Sequence, residues 1–194
     1  MYYPSGMEEL LARIRACHIC KDLPLGPRPI LQASSSARLL VVGQAPGRIT
    51  HAKGRPFDDP SGDRLRNWLG VGRDVFYDAG RIALVPMGFC YPGRGKGGDL
   101  PPRRECAEAW RADLMAEMSA IRLTLVIGRY AEDWHLPPRE GRTLAERAQA
   151  QSMDSPAILL PHPSPRNNLW LRRNPWFEAE TIPALRNRVA NILA

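Results

Sequence analysis

At 194 residues the chain is long enough for one domain with a buried core, and it reads as a single domain spanning 1–194. No apolar run reaches the ~18 residues of a membrane-spanning helix, and the first residues lack the basic-then-apolar pattern of a secretory signal, so a cytoplasmic protein with no membrane partner is expected. The net charge of +7 is mostly arginine, whose forked guanidinium suits a polyanionic partner, although a basic enzyme would carry the same excess.

The first periodic segment, Met7 to Ala16, sets Leu10, Leu11 and Ile14 at helical spacing behind Ser5 as a possible cap, and runs into Cys17-His18-Ile19-Cys20. The proline-rich Leu23 to Ile30 must be extended. Leu39 to Val42 is a short apolar, β-branched run that reads as a buried strand, stopped by Gly43-Gln44-Ala45-Pro46-Gly47. Glycines there let the backbone approach a ligand, and exposed N–H groups can cradle a carbonyl oxygen, but a tight strand-to-helix connection has the same composition. After Gly54-Arg55-Pro56-Phe57-Asp58-Asp59, Ser61 can cap a helix through Leu69.

Ile82 to Val85 reads as a second strand, followed by Pro86 to Cys90 and a loop, Tyr91 to Pro102, rich in glycine and basic residues. Arg103 to Ala120 is a helix with Trp110, Leu114 and Met118 on one face. Leu123 to Ile127 is a third strand, Arg129 to Trp134 a short helix, Thr143 to Gln151 a surface helix and Ala157 to Leu160 a fourth strand. Pro161-His162-Pro163-Ser164-Pro165-Arg166-Asn167 follows, and a helix from about Pro175 to Leu193 closes the chain. Strands alternating with helices predict an α/β protein, a three-layer α/β/α fold around a four-stranded parallel sheet. The loops at its strand ends would gather along one edge of the sheet as a composite site.

Cys17 and Cys20 form a Cys-x2-Cys pair, and fifteen residues separate Cys90 from Cys106. In a reducing compartment this set reads as a metal or cluster site with a structural role, and four thiolates suit Zn²⁺ or an iron–sulfur cluster equally well. His162 is held between two prolines, so its imidazole is presented at a fixed position. Leu169, Trp170 and Leu171 behind it could pack on the closing helix or wedge into a duplex.

Three elements in this order resemble the uracil-DNA glycosylase superfamily. Residues 43–47 resemble its first motif, residues 162–167 its minor-groove loop, and the four cysteines its iron–sulfur branches, which also share Gly54-Arg55-Pro56-Phe57. The resemblance implies a monomeric DNA glycosylase that flips a damaged base out of DNA, with Cys17, Cys20, Cys90 and Cys106 holding a [4Fe–4S] cluster or, less in keeping, zinc. It further implies base contacts from Gln44, Ala45 and Phe57, an anion-stabilising donor in His162, and DNA contacts from Ser164, Arg166 and Leu169. Arg172 and Arg173 supply basic charge beside that loop.

Two departures stand out. The first-motif positions that carry a carboxylate in some branches are Gln44 and Ala45, which cannot ionise; Asp59, in Asp59-Pro60-Ser61-Gly62, aligns with the carboxylate of another branch but serves equally as a helix N-terminal charge. Relatives place a base-reading asparagine four residues before the third cysteine, where this chain has Pro86. Glycosylase action on uracil or another deaminated base is the first expectation; a non-catalytic cluster protein that binds single-stranded or damaged DNA, and a nucleotide- or RNA-directed hydrolase, are the alternatives.

Overall fold

A computed structural model describes residues 6–194, so the cap expected at Ser5 lies outside the described residues. The described chain runs α1 (Gly6–Arg15), β1 (Leu39–Val42), α2 (Arg48–Lys53), α3 (Pro60–Leu69), α4 (Arg73–Phe76) and β2 (Ile82–Leu84). It continues with β3 (Arg94–Gly95), β4 (Gly98–Asp99), α5 (Arg104–Glu117), β5 (Leu123–Ile127) and α6 (Arg129–His135). It ends with α7 (Leu144–Ala150), β6 (Ala157–Leu160), α8 (Asn168–Arg173) and α9 (Ile182–Leu193).

The main sheet has the order β2-β1-β5-β6, and every pair is parallel. Helices cover both faces, as the apolar runs require: a strand buried on both sides has no polar face to alternate with. Leu39 and Val41 point with Ile82, Leu84, Leu125 and Ile158 into the core beneath α3 and α9. Leu40 and Val42 point the other way, toward Ile14 of α1 and Leu114 of α5. Each fully buried aliphatic side chain stabilises the fold by roughly 1.5–3 kcal/mol, so these alternating rows define the register. The three-layer α/β/α expectation holds.

Several boundaries differ from the sequence reading. The cap of α3 is Asp59, whose Oδ1 accepts from Gly62 N at 2.9 Å, and Ser61 lies inside the helix behind Pro60 at its first turn. The Tyr91–Pro102 loop contains the antiparallel hairpin β3–β4. Leu169-Trp170-Leu171 is not loop but part of α8, with Leu171 buried and Trp170 set edge-on to Trp176 and Phe177 at centroid distances of 6.1 and 5.6 Å. The closing helix begins with a π-turn at Phe177–Thr181 that precedes Pro183, which cannot donate to a continuous helical ladder. In α5 the inward face is Cys106, Ala107, Arg111 and Leu114; Trp110 is only half-buried under Arg13.

Candidate functional site

In an all-parallel sheet every strand delivers its following loop to the same edge, so the segments after β1, β2 and β6 meet there. The first loop is tied to its neighbour by backbone: Met87 N donates to Gly43 O at 2.8 Å and Gly88 N to Gln44 O at 3.0 Å. The Gln44 side chain donates from Nε2 to Leu100 O at 2.7 Å, which docks the β3–β4 hairpin onto the loop. Ala45 is half-buried beside it.

Phe57 has φ +52, a left-handed conformation that costs a side-chain-bearing residue roughly 1–2 kcal/mol. Its carbonyl accepts from Tyr77 Oη at 3.1 Å and Arg66 Nη1 at 3.3 Å, and these bonds offset the strain. The close approach of Gly62 is also required, because a Cβ there would stand 1.7 Å from Phe57 O. The clamp sets the half-buried ring against Gly43, with Cζ 3.3 Å from where a Gly43 Cβ would be, and edge-on to Phe76 at 6.4 Å. Asp58 turns away to Lys53 and Arg73 at 3.6 and 3.1 Å, whereas Asp59 lies within electrostatic reach of His162.

The geometry around His162 fixes the form of its ring. Ser164 N donates to His162 Nδ1 at 3.1 Å, so in the neutral imidazole the proton sits on Nε2. Burial pushes the imidazole below its ordinary range, while the carboxylates of Asp59 and Asp99 oppose the shift. The result is a neutral ring near pH 7 that presents an N–H donor. Asn167 Nδ2 donates to His162 O at 2.8 Å, and Arg64 of α3 donates to Ser164 O at 3.2 Å and Asn168 Oδ1 at 2.8 Å. The Ser164 hydroxyl accepts from Arg166 N at 3.2 Å, so it shapes the turn.

The hairpin closes the remaining side. Asp99 Oδ2 is 3.4 Å from where a Cβ on Gly47 would be, and Arg166 Nη1 is 2.9 Å from the same position on Gly98. One strand pair therefore touches the first loop and the His162 loop. Asp99 escapes a sequence reading because nothing local marks it; only the Gly-rich run around it hints at a backbone that can lie close to other loops. Beyond the site, Leu169 is 51% exposed, whereas Trp170 is half-buried and Leu171 buried, so Leu169 is the most accessible of the apolar trio. Arg172 and Arg173 are exposed at the end of α8, on the same run of chain.

Cys17, Cys20, Cys90 and Cys106 line one cavity together with Phe89 and Arg103. Phe89 N donates to Cys106 Sγ at 3.3 Å, and the Arg103 guanidinium bonds the Cys20 sulfur. Burial pushes the Cys106 thiol up to about 12, so a thiolate there needs a positive charge to balance it. Four sulfurs in one cavity, with N–H donors aimed at those of Cys20 and Cys106, match the donor types of a thiolate-bound group. Among the described residues, however, no group of three or more His, Cys, Asp or Glu closes into an arrangement that could hold a metal ion.

No described helix is long and apolar enough to cross a membrane. Residues 31–186, a span that takes in the whole sheet and the loops after β1, β2 and β6, match the family model of the Uracil DNA glycosylase superfamily. By that match the chain belongs to the uracil DNA glycosylase superfamily, a superfamily of DNA glycosylases.

Proposed function

We propose that the protein is a monofunctional glycosylase of base-excision repair that hydrolyses the N-glycosidic bond of uracil or another deaminated base flipped out of DNA. The observation that carries this reading is the fixed tautomer of His162, a neutral donor in a site with carboxylates beside it. A pyrimidine leaves most easily as an anion, and a preorganised donor placed where that charge develops supplies the largest single catalytic effect. His162 Nε2–H would donate to the base carbonyl, Phe57 would stack on the extruded base, and the backbone of Gln44 and Ala45 would hold its edge. Asp59 would orient the water that attacks the sugar. Ser164, Arg166, Arg172 and Arg173 would meet phosphates, and Leu169 would fill the gap left in the stack.

Cys17, Cys20, Cys90 and Cys106 would hold a [4Fe–4S] cluster, with zinc the less fitting occupant; the shared cavity and the N–H donors to sulfur support it. Such a group would pin the end of α1 to the segment that carries Pro86–Gly88, which in turn holds the first loop. Its role is structural.

A base-release assay tests the proposal. The full chain is given single- and double-stranded oligonucleotides carrying uracil, hypoxanthine or xanthine, beside an Asp59→Ala control, and the preparation is checked for iron, acid-labile sulfide and zinc. Release of one lesion, lost in the control, is expected. Pro86 and Gln44, which supply neither a base-reading amide at the usual place nor a carboxylate, favour a non-catalytic DNA-binding protein instead. Tight binding of lesion DNA with no release would establish that second reading.

A further inference from the structure

Hydrolysis needs more than a donor to the base, and the following rests on the glycosylase reading. We infer that Asp99, on the hairpin that bridges the first loop and the His162 loop, is a second catalytic carboxylate, which takes the proton of the attacking water. Asp59 has one oxygen committed to Gly62 N at 2.9 Å as the cap of α3, and that bond ties it to the helix end. Asp99 forms no side-chain hydrogen bond or ion pair among the described residues, yet Oδ2 sits against Gly47 and its charge reaches His162. The hairpin is held for this purpose from two sides, by Gln44 Nε2 on Leu100 O at 2.7 Å and by Arg166 against Gly98. Gln44 thus serves the site by placing a carboxylate that it does not itself carry.

The step balances without a further reactant. The C1′–N bond breaks with its electron pair going to the base, which departs as an anion held by the His162 N–H. Water oxygen then bonds to C1′ of the sugar cation, and one water proton passes to the Asp99 carboxylate and on to solvent or the freed base. The products are the free base and an abasic sugar.

The test is single-turnover base release by the full chain, using whichever of the uracil, hypoxanthine or xanthine oligonucleotides the wild type cleaves. Asp99→Asn is expected to slow release by about 10²-fold, the usual worth of a positioned base, while DNA affinity stays near that of the wild type. In Asp99→Ala, added formate should recover part of the lost rate, because a small carboxylate can occupy the vacated space. A rate for Asp99→Asn within about threefold of wild type overturns the inference and leaves the glycosylase reading standing. A slow Asp99→Ala that formate leaves slow also overturns it, making the residue a strut of the hairpin. A wild type that releases no base removes both readings together.

Discussion

His162 and His135 are both half-buried, and in both burial pushes the imidazole below its ordinary range. Their neighbours differ in sign. Two carboxylates, Asp59 and Asp99, push His162 back up, whereas the Arg111 guanidinium drives His135 further down, to about 4. Their free protons differ too. His162 accepts at Nδ1 from backbone and keeps its proton on Nε2, whereas His135 uses Nε2 to accept from Arg111 Nη2 at 2.8 Å and Nε at 3.2 Å. Burial alone therefore does not make a catalytic histidine. The charge of the groups around it, and the nitrogen left to donate, separate the ring we propose to react from one that props up a cation.

The largest effect should come from His162. Replacing it by Ala should slow base release by about 10²–10⁴-fold in single-turnover assays, since one preorganised donor is worth at least 10² in such a site. The matching change at His135 should leave release by the folded protein close to wild type. A His162→Ala variant with the wild-type rate would erase the contrast and shift the chemistry elsewhere.

The counterpart on the other side is Arg111, buried in the core with Pro86 O at 3.2 Å and His135 as its partners, and with no carboxylate among the described residues. Arg111→Ala leaves a cavity and two unpaired acceptors, and should cost about 2–4 kcal/mol in denaturant unfolding. A loss below ~0.5 kcal/mol would mean that the arginine's uncompensated charge had offset its packing.

What the sequence disclosed follows the same division. The loops at 43–47 and 162–167 are legible because prolines and glycines fix their backbone locally, and β1, β5 and β6 are legible because Leu39–Val42, Leu123–Ile127 and Ala157–Leu160 are apolar enough to be buried on both faces. Asp59 could be read both as a cap and as a site carboxylate; the structure shows the capping bond and sets its charge within electrostatic reach of His162. Asp99 and Arg111 were not legible. Asp99 reaches the site only because a hairpin folds back across some fifty residues of chain to Gln44, and Arg111 looks like any polar residue of a helix until the packing encloses it. Leu169-Trp170-Leu171 left packing and wedging both open because three adjacent apolar residues carry no periodicity; the edge-on contacts of Trp170 with Trp176 and Phe177 and the burial of Leu171 show the packing, and Leu169 is left exposed.

The titration of His135 gives a smaller effect with a defined sign. Its pKa is near 6.5 when unfolded and about 4 when folded, so between those values the unfolded chain binds the extra proton. Stability is then fully present above about pH 6.5 and falls as the pH drops toward 4, with a slope approaching ~1.4 kcal/mol per unit from this one group. His162 is shifted in the same direction and adds to the loss on the same side. His135→Gln keeps an acceptor for Arg111 and cannot titrate, so unfolding followed from pH 7 to pH 4.5 should be flatter in that variant. An unchanged slope would place the proton uptake on other groups.

The smallest expected effect concerns the charge that surrounds each histidine. Beside His135, Arg139 and Arg147 direct their guanidinium groups to buried Glu132 at 3.2 and 3.1 Å, so their charge is largely neutralised within the fold. Beside His162 the chain passes through α8 to Arg172 and Arg173, exposed and without a carboxylate partner among the described residues. Each phosphate contact adds about 0.9 to the slope of log K against log salt on duplex and about 0.7 on single strands. Arg172→Ala and Arg173→Ala should each flatten that slope by nearly this amount, with DNA affinity falling at low salt and converging on wild type at high salt. Arg147→Ala should leave the salt slope alone and lower stability instead, because Glu132 loses a partner. If the α8 variants keep the wild-type slope while Arg147→Ala changes it, DNA lies along the His135 side, and the assignment of the two rings must be exchanged.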